Sequence, residues 1–275
     1  MTVAAKKAIQ LYNEDCLTAI PKRIKPGSVD IVVTSPPYNI GVKYHSYNDR
    51  LPLEKYLAWL TAWGEVIADA LADDGSLFLN IGSRPSAPDI PFRVLSALTE
   101  RFALQNVIHW IKSIYIEADS YGQATDINVG HYKPINSNRF LNDTHEYIFH
   151  LTKTGMVKLD RLALGVPYKD QSNVARWKSG NHRLRCRGNC WFIPYETIQN
   201  RDADRPHPAS YPPRLAENCI KLHGRRPGLH VLDPFLGIGN TAIACRNLGV
   251  KFTGFEIDTY YFQVARGRLE TAKTE

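Results

Sequence analysis

The sequence predicts a three-layer α/β fold built on a mostly parallel sheet, with a small inserted module. Three observations predict it. Short apolar or β-branched runs alternate with segments of helical period. The first of these runs ends at Pro36-Pro37, and two consecutive prolines stop a buried strand because neither can donate to a ladder. A later run, Val231-Leu232-Asp233, feeds a glycine-containing turn and a helix start, and the strand after it ends in an acid, Glu256.

Taken in order, Val29–Val33 is a β-branched run of the kind buried on both faces of a parallel sheet. It opens into the rigid segment Thr34-Ser35-Pro36-Pro37-Tyr38, at the carboxyl end of a strand, where open α/β sheets bind ligands. Between Leu53 and Leu71 the residues Tyr56, Leu57, Leu60, Trp63, Ile67 and Ala70 recur at three- and four-residue steps, which predicts an amphipathic helix. Asp73-Asp74-Gly75 predicts a turn, Ser76–Ile81 a strand, residues 91 to 100 a helix, and Asn106–Ile111 and His145–Leu151 two further strands. The rhythm lapses from 155 to 205, where scattered Gly and Pro predict an insertion of loops and short strands. It resumes with a helix at Pro212–Leu222, a strand at Leu229–Asp233, a helix at Thr241–Leu248, a strand at Lys251–Phe255 and a helix at Tyr260–Ala272.

A chain of 275 residues with 44% hydrophobic content can bury a large core, which favours one elaborated domain. The 34 Lys and Arg against 27 Asp and Glu leave a formal charge of +7, which points to polyanionic partners. Five cysteines, odd in number and scattered at 16, 186, 190, 219 and 245, do not form a disulfide framework, so a reducing, cytoplasmic location is expected. No apolar run reaches the length of a bilayer span, and the N-terminus lacks a secretory core, so no membrane association is expected. His182, Cys186 and Cys190 lack a fourth ligand and do not match a zinc ribbon, so no metal is expected.

The strand–turn–helix around Gly237 and Gly239 has the geometry of a nucleoside cradle. Glycines let backbone approach the ligand, and Glu256 can accept both ribose hydroxyl protons. Ala242 leaves the dinucleotide spacing incomplete, so a nicotinamide cofactor is disfavoured without being excluded.

The segment Asp233-Pro234-Phe235-Leu236-Gly237-Ile238-Gly239 resembles the cofactor motif of the amino-methylating DNA methyltransferases, and Thr34-Ser35-Pro36-Pro37-Tyr38 resembles their catalytic motif. The catalytic motif comes first, the order of the permuted beta class. Asn13-Glu14-Asp15-Cys16 resembles the acidic motif near the cofactor adenine, and Thr144-His145-Glu146-Tyr147-Ile148 a strand beside the catalytic pocket. His207–Pro212 resembles the segment that closes over the methionine end. The resemblance implies a Rossmann-like methyltransferase fold, with a catalytic part at 1–154, a target-recognition insertion at 155–205 and a cofactor-binding part at 206–275 of the same domain. It also implies S-adenosylmethionine as cofactor, held by Asp15, Ser210, Asp233, Phe235, Gly237, Gly239, Asn240, Thr241 and Glu256. Double-stranded DNA is the implied partner, and a companion restriction endonuclease and a homodimer are both compatible with it.

An exocyclic base amine is conjugated with its ring and attacks a sulfonium methyl poorly, so it needs acceptors around its hydrogens. The Ser35 hydroxyl and the Pro36 carbonyl are the expected acceptors, Pro37 stiffens the loop, and Tyr38 is expected to stack on a flipped base. Ser35 is too weak a base to abstract a proton before transfer, which leaves polarisation. In the family, Ser at position 35 usually accompanies cytosine, so N4-methylcytosine is the expected product and adenine N6 the alternative; a non-catalytic DNA-binding relative is a further one. From Gln171 to Tyr195 there is no acid, while Arg176, Lys178, Arg183, Arg185 and Arg187 cluster with Trp177, His182 and Trp191. These cations, with Lys43 on the loop Asn39–Arg50, are the expected DNA contacts. That loop is expected to be mobile without DNA.

Overall fold

The computed structural model describes residues 9–130, 135–169, 184–194, 207 and 209–271. Its strands are β1 (Ile9–Tyr12), β2 (Val29–Thr34), β3 (Leu71–Ile81), β4 (Ala103–Ile111), β5 (Ile114–Ile116), β6 (Ile127–Val129), β7 (His145–Thr152), β8 (Val166–Pro167), β9 (Leu184–Arg185), β10 (Cys190–Phe192), β11 (His230–Asp233) and β12 (Lys251–Phe255). Its helices are α1 (Cys16–Arg23), α2 (Leu53–Ala70), α3 (Ile90–Leu98), α4 (Pro213–His223), α5 (Asn240–Leu248) and α6 (Thr259–Thr271).

Eight strands form one sheet in the order β1-β12-β11-β2-β3-β7-β4-β10. All neighbours are parallel except β7, which runs antiparallel to both β3 and β4. The start of β7 therefore lies on the same edge as the carboxyl ends of the other strands. Alternation along β2 sends Val32 to one face and Ile31 and Val33 to the other. The first face is covered by α1, α2 and α3 through Ala19, Ile20, Tyr56, Leu60, Trp63, Ile67, Val94 and Leu98. The second is covered by α4, α5 and α6 through Leu215, Cys219, Ile220, Ala242, Cys245, Leu248 and Ala265. That is the three-layer arrangement expected from sequence. Each fully buried Leu, Ile or Phe in these layers contributes about 1.5–3 kcal/mol of transfer free energy, so both layers are needed to offset chain entropy.

Besides the unanticipated β5–β6 hairpin, four features depart from the expectations. β1 and α1 were not anticipated: β1 is only four residues long, and α1 carries Pro21 in its interior. The side chain of Asp15 caps α1 by accepting from the Leu17 amide. Residues 72–75 form an irregularity inside β3 instead of a turn before it, since Val29 pairs with Leu71 and Ile31 with Ser76. β10, inside the expected insertion, completes the main sheet against β4, and Trp191 is buried there with its indole N–H on the Gly188 carbonyl. Trp191 is thus a core residue and not part of a DNA-contacting cluster. Among the described residues, no helix is long and apolar enough to cross a membrane.

Polar residues inside the second layer form a chain running from Asn106 Nδ2 to His150 Nδ1, from His150 Nε2 to Ser76 Oγ and from Ser76 Oγ to His223 Nδ1, at 3.0, 2.9 and 2.9 Å. Because Asn106 Nδ2 donates, His150 must accept at Nδ1 and is therefore neutral. Burial pushes His150 down to about 3 and lowers His223 and His230 as well. Their folded pKa values lie below the unfolded value of about 6.5, so stability is complete above that pH and is lost as pH falls toward 3. Urea midpoints should fall from pH 7 to pH 5, with each such histidine contributing at most about 1.4 kcal/mol per pH unit. His150→Gln should flatten that slope, and an unchanged slope would remove His150 as its source.

Candidate active site

The loop after β2 is fixed from three sides. Thr34 donates its buried hydroxyl to Asp233 Oδ1 at 2.7 Å, across 199 residues of sequence. Tyr56 of α2 donates to the Pro37 carbonyl at 2.7 Å. Tyr38, buried, ends the segment with its hydroxyl bonded to Glu146 Oε2 at 2.9 Å and to Ser35 Oγ at 2.8 Å. The first of these bonds places the proline loop beside the glycine loop after β11.

The cleft between them is lined by Glu14, Asp15, Ser35, Pro37, Tyr44, Trp59, Ser210, Asp233, Phe235, Gly237, Asn240, Thr241, Glu256 and Asp258, among others. No Lys or Arg occurs among the described lining residues, while Glu14, Asp15, Asp233, Glu256 and Asp258 are all acids. Such a wall suits a ligand carrying hydroxyls and positive charge and opposes one carrying phosphates. The nicotinamide dinucleotide kept open by the sequence is disfavoured on that ground.

Within the cleft, Gly237 has φ +51, and a Cβ there would come within 3.5 Å of the His207 ring. Glu256 Oε2 accepts from the Gly237 amide at 2.7 Å and Oε1 from the Asp258 amide at 2.9 Å, so strand end and glycine loop are locked together. Burial pushes Glu256 up to about 7 despite these bonds, so hydrogen bonds donated by a ligand would favour its ionised form. Phe235 packs its ring 5.6 Å from those of both Trp59 and Trp63, giving the cleft an aromatic floor.

Several residues expected to hold a cofactor also hold the loop in place. Both oxygens of Asp233, 1% exposed, are taken by protein donors: Thr34 Oγ1, the Phe235 amide, Thr241 Oγ1 and the Tyr211 hydroxyl. Asn240 spends its amide on the Tyr211 carbonyl and its oxygen on Arg268. Gly239 has φ +84 at the N-cap of α5, and a Cβ there would stand 3.1 Å from Ala265 Cβ, so its smallness serves packing against α6. Asp233, Asn240 and Thr241 line the cleft with their polar groups so committed, and Asp15, Ser210, Phe235, Gly237 and Glu256 line it beside them. Of the proline loop, Ser35 and Pro37 line the cleft, and Pro36 and Tyr38 are the buried members of the segment.

Asn80 and Lys112 went unrecognised in the sequence, whereas Glu146 lies on the strand expected beside the catalytic pocket. Asn80, at the end of β3, donates Nδ2 to the Tyr38 hydroxyl and to Glu146 Oε2, both at 2.7 Å, and its Oδ1 is buried with no hydrogen-bond partner. Lys112 Nζ pairs with Glu146 Oε1 at 3.0 Å. Burial works to raise Glu146, but the Lys112 charge and the bonds from Asn80, Lys112 and Tyr38 outweigh it and hold the carboxyl below its usual range. The available signal was a polar residue at the end of an otherwise apolar strand, in Leu77-Phe78-Leu79-Asn80.

The loop 39–50 is tied down rather than loose. Asp49 accepts the amides of Asn39, Ile40, Gly41 and Val42 at 2.7 to 3.1 Å, and His45 and Ser46 bond Asp258 at 3.0 and 2.5 Å. Tyr44 meets the His207 ring, which in turn meets Tyr261. Lys43 is exposed and bridges to Asn48. Arg185 on β9 is exposed and Arg187 half-buried; Arg176, Lys178 and Arg183 lie outside the described residues. Among the described residues no group of three His, Cys, Asp or Glu is disposed to hold a metal ion.

A family model described as DNA methylase, N6_N4_Mtase, matches residues 29–267. The chain is 31% identical to the Type II methyltransferase M.BglII of Bacillus subtilis, over 93% of this chain and 67% of that one. It is 27% identical to the DNA adenine methyltransferase YhdJ of Escherichia coli (strain K12), over 97% and 84%. Among solved structures it is similar to the PvuII DNA methyltransferase (cytosine-N4-specific), with a TM-score of 0.67 at 19% identity over 98% of this chain and 91% of that chain. It is also similar to M1.HpyAVI in its SAM complex, with a TM-score of 0.56 at 24% identity over 94% and 99%. At such identities the structural likenesses speak to the fold.

Proposed function

Because the chain belongs to the N6_N4 DNA methylase family, we propose that it transfers a methyl group from S-adenosylmethionine to the exocyclic amine of a base flipped out of duplex DNA, with cytosine N4 as the target. The observation that carries this reading is the 2.7 Å bond from Thr34 to Asp233, which brings Ser35 and the Gly237 loop to one cleft. The cofactor fits the residues present: acids for ribose hydroxyls and for an ammonium group, an apolar floor at Phe235, and, among the described lining residues, no Lys or Arg to repel a sulfonium. When bound it supplies an activated methyl carbon.

The chain's own residues supply the rest. Asp15 and Glu256 accept the ribose hydroxyls, Gly237 lets backbone approach, and Ser210 meets the amino-acid end. Ser35 Oγ and the Pro36 carbonyl accept the two amine hydrogens, which turns the nitrogen lone pair toward the methyl carbon. Pro37 keeps the loop rigid, and the Tyr38 ring borders the base. Flipping costs on the order of a few kcal/mol, which stacking and these hydrogen bonds offset. Ser at position 35 supports cytosine over adenine. The order of the two loops supports a permuted, beta-class arrangement, with 1–154 catalytic, 155–205 reading the target and 206–275 binding the cofactor.

Unmodified duplex DNA incubated with the protein and labelled S-adenosylmethionine, then digested to nucleosides, tests the reading by mass. N4-methylcytosine supports it, N6-methyladenine transfers the same chemistry to the alternative base, and neither product overturns it. Lys43, Arg176, Lys178, Arg183, Arg185 and Arg187 are the proposed DNA contacts. Of these, Arg185 is exposed on a short strand, and Arg185→Ala should weaken duplex binding severalfold and lower the salt slope by about one ion, with cofactor affinity unchanged. Fluorescence anisotropy across a salt series checks this, and an unchanged slope would remove Arg185 from the interface.

A further inference from the structure

The polar cluster behind Ser35 has one arrangement of hydrogen atoms that satisfies it, and Glu146 dictates that arrangement. An ionised carboxylate only accepts. Its Oε1 takes the Lys112 ammonium, and its Oε2 takes Asn80 Nδ2 and the Tyr38 hydroxyl. Tyr38 must then donate to Glu146, so its oxygen accepts from Asn80 Nδ2 and from the Ser35 hydroxyl at 2.8 Å. With its hydrogen committed to Tyr38, Ser35 keeps its lone pairs for the cleft it lines. Asn80 is fixed the same way: both of its N–H groups are used, on Tyr38 and Glu146, and its Oδ1 is left buried with no hydrogen-bond partner.

We propose that Glu146 is the positioning residue of the methyl transfer: it holds the Ser35 hydroxyl as an acceptor toward the substrate amine and receives, through Tyr38, the proton that the amine gives up. This rests on the reading of function above and deepens it. As the bond from nitrogen to the methyl carbon forms and the bond from that carbon to sulfur breaks, the positive charge moves from sulfur to nitrogen. The nitrogen then gives its proton to Ser35 Oγ, Ser35 passes its own proton to the Tyr38 oxygen, and Tyr38 passes its proton to Glu146. Three O–H or N–H bonds break and three form, and the thioether leaves neutral. Glu146 retains 12% side-chain exposure, through which the proton is lost to solvent after release. A neutral amide at position 146 would abolish both tasks, because it can donate to Tyr38 and reverse the chain of hydrogen bonds.

Single-turnover transfer from labelled cofactor to unmodified bacteriophage DNA, with cofactor affinity measured by calorimetry, tests the assignment. Glu146→Gln should slow transfer about 10²-fold with cofactor affinity within twofold, and Glu146→Asp should regain part of the rate. On a Ser35→Ala background, Glu146→Gln should cost less than threefold more, because it acts through Ser35. Tyr38→Phe cuts the same path while leaving the Glu146–Lys112 pair intact, and should show the same loss and the same non-additivity even if Glu146→Gln folds poorly. Rates within threefold of wild type in Tyr38→Phe, or an equal loss with and without Ser35, would overturn the assignment. A wild-type protein that leaves no methyl on an exocyclic amine overturns the function and the relay together; one that methylates while both variants keep pace overturns the relay alone.

Discussion

Asp233→Ala should destabilise the protein by about 3–5 kcal/mol and weaken cofactor binding at least tenfold. Four donors converge on that carboxylate: Thr34, Thr241, Tyr211 and the Phe235 amide. Alanine removes the acceptor from Thr34, Thr241 and the Phe235 amide, at about 1–3 kcal/mol for each that finds no substitute, while Tyr211 keeps Thr241 and the Val33 carbonyl within reach and recovers part of the loss. The effect on binding follows from what the donors hold. Thr34 anchors the proline loop, Phe235 the cleft floor and Thr241 the first turn of α5, so their release lets the two walls of the cleft separate. Asp233→Asn should lose less, because its oxygen still accepts and its amide can donate to hydroxyls free to turn. Burial already raises the Asp233 carboxyl against its donors, so the neutral replacement also avoids a desolvation cost. Urea unfolding and calorimetric titration of both variants check the ordering. A midpoint for Asp233→Ala equal to wild type would remove the carboxylate as the clamp.

The fold was legible because its evidence is local. β2, α2, β12 and the turn at Gly237 announce themselves through runs of a few contiguous residues, and their positions follow the expectation to within a residue or two. β1 escaped because four residues carry no periodicity, and α1 because Pro21 reads as a breaker although one turn of helix precedes it. β10 escaped because membership of a sheet is decided by a partner far away, here His109–Ile111. The same division governs the site. Ser35 and Gly237 belong to segments whose chemistry is compressed into a few adjacent residues. Asn80, Lys112 and Glu146 come from the ends of three different strands, and Glu146 joins them only because β7 runs antiparallel. Asp49 and Asp258 likewise do their work on amides and rings that the chain order does not place near them.

Ser35→Ala should lower the rate of methyl transfer by about 10²- to 10³-fold while leaving cofactor affinity within twofold of wild type. The asymmetry is the test of how the serine acts. An acceptor that matters only as the amine nitrogen gains charge strengthens the transition state and not the ground state, so its loss appears in kcat and barely in KM. Had Ser35 served chiefly to bind the base, KM would rise and kcat would hold. The cofactor is insulated from the change because the Ser35 side chain bonds Tyr38 and stands near Asn80, whereas the glycine loop is held by Glu256 and Asp233. Alanine also leaves the backbone bonds of the loop intact, including that of Tyr56 to the Pro37 carbonyl, so the loop keeps its course. Single-turnover rates beside equilibrium titrations separate the two cases. A tenfold loss of cofactor affinity, or a rate within threefold of wild type, would show that the hydroxyl does not face the reacting amine.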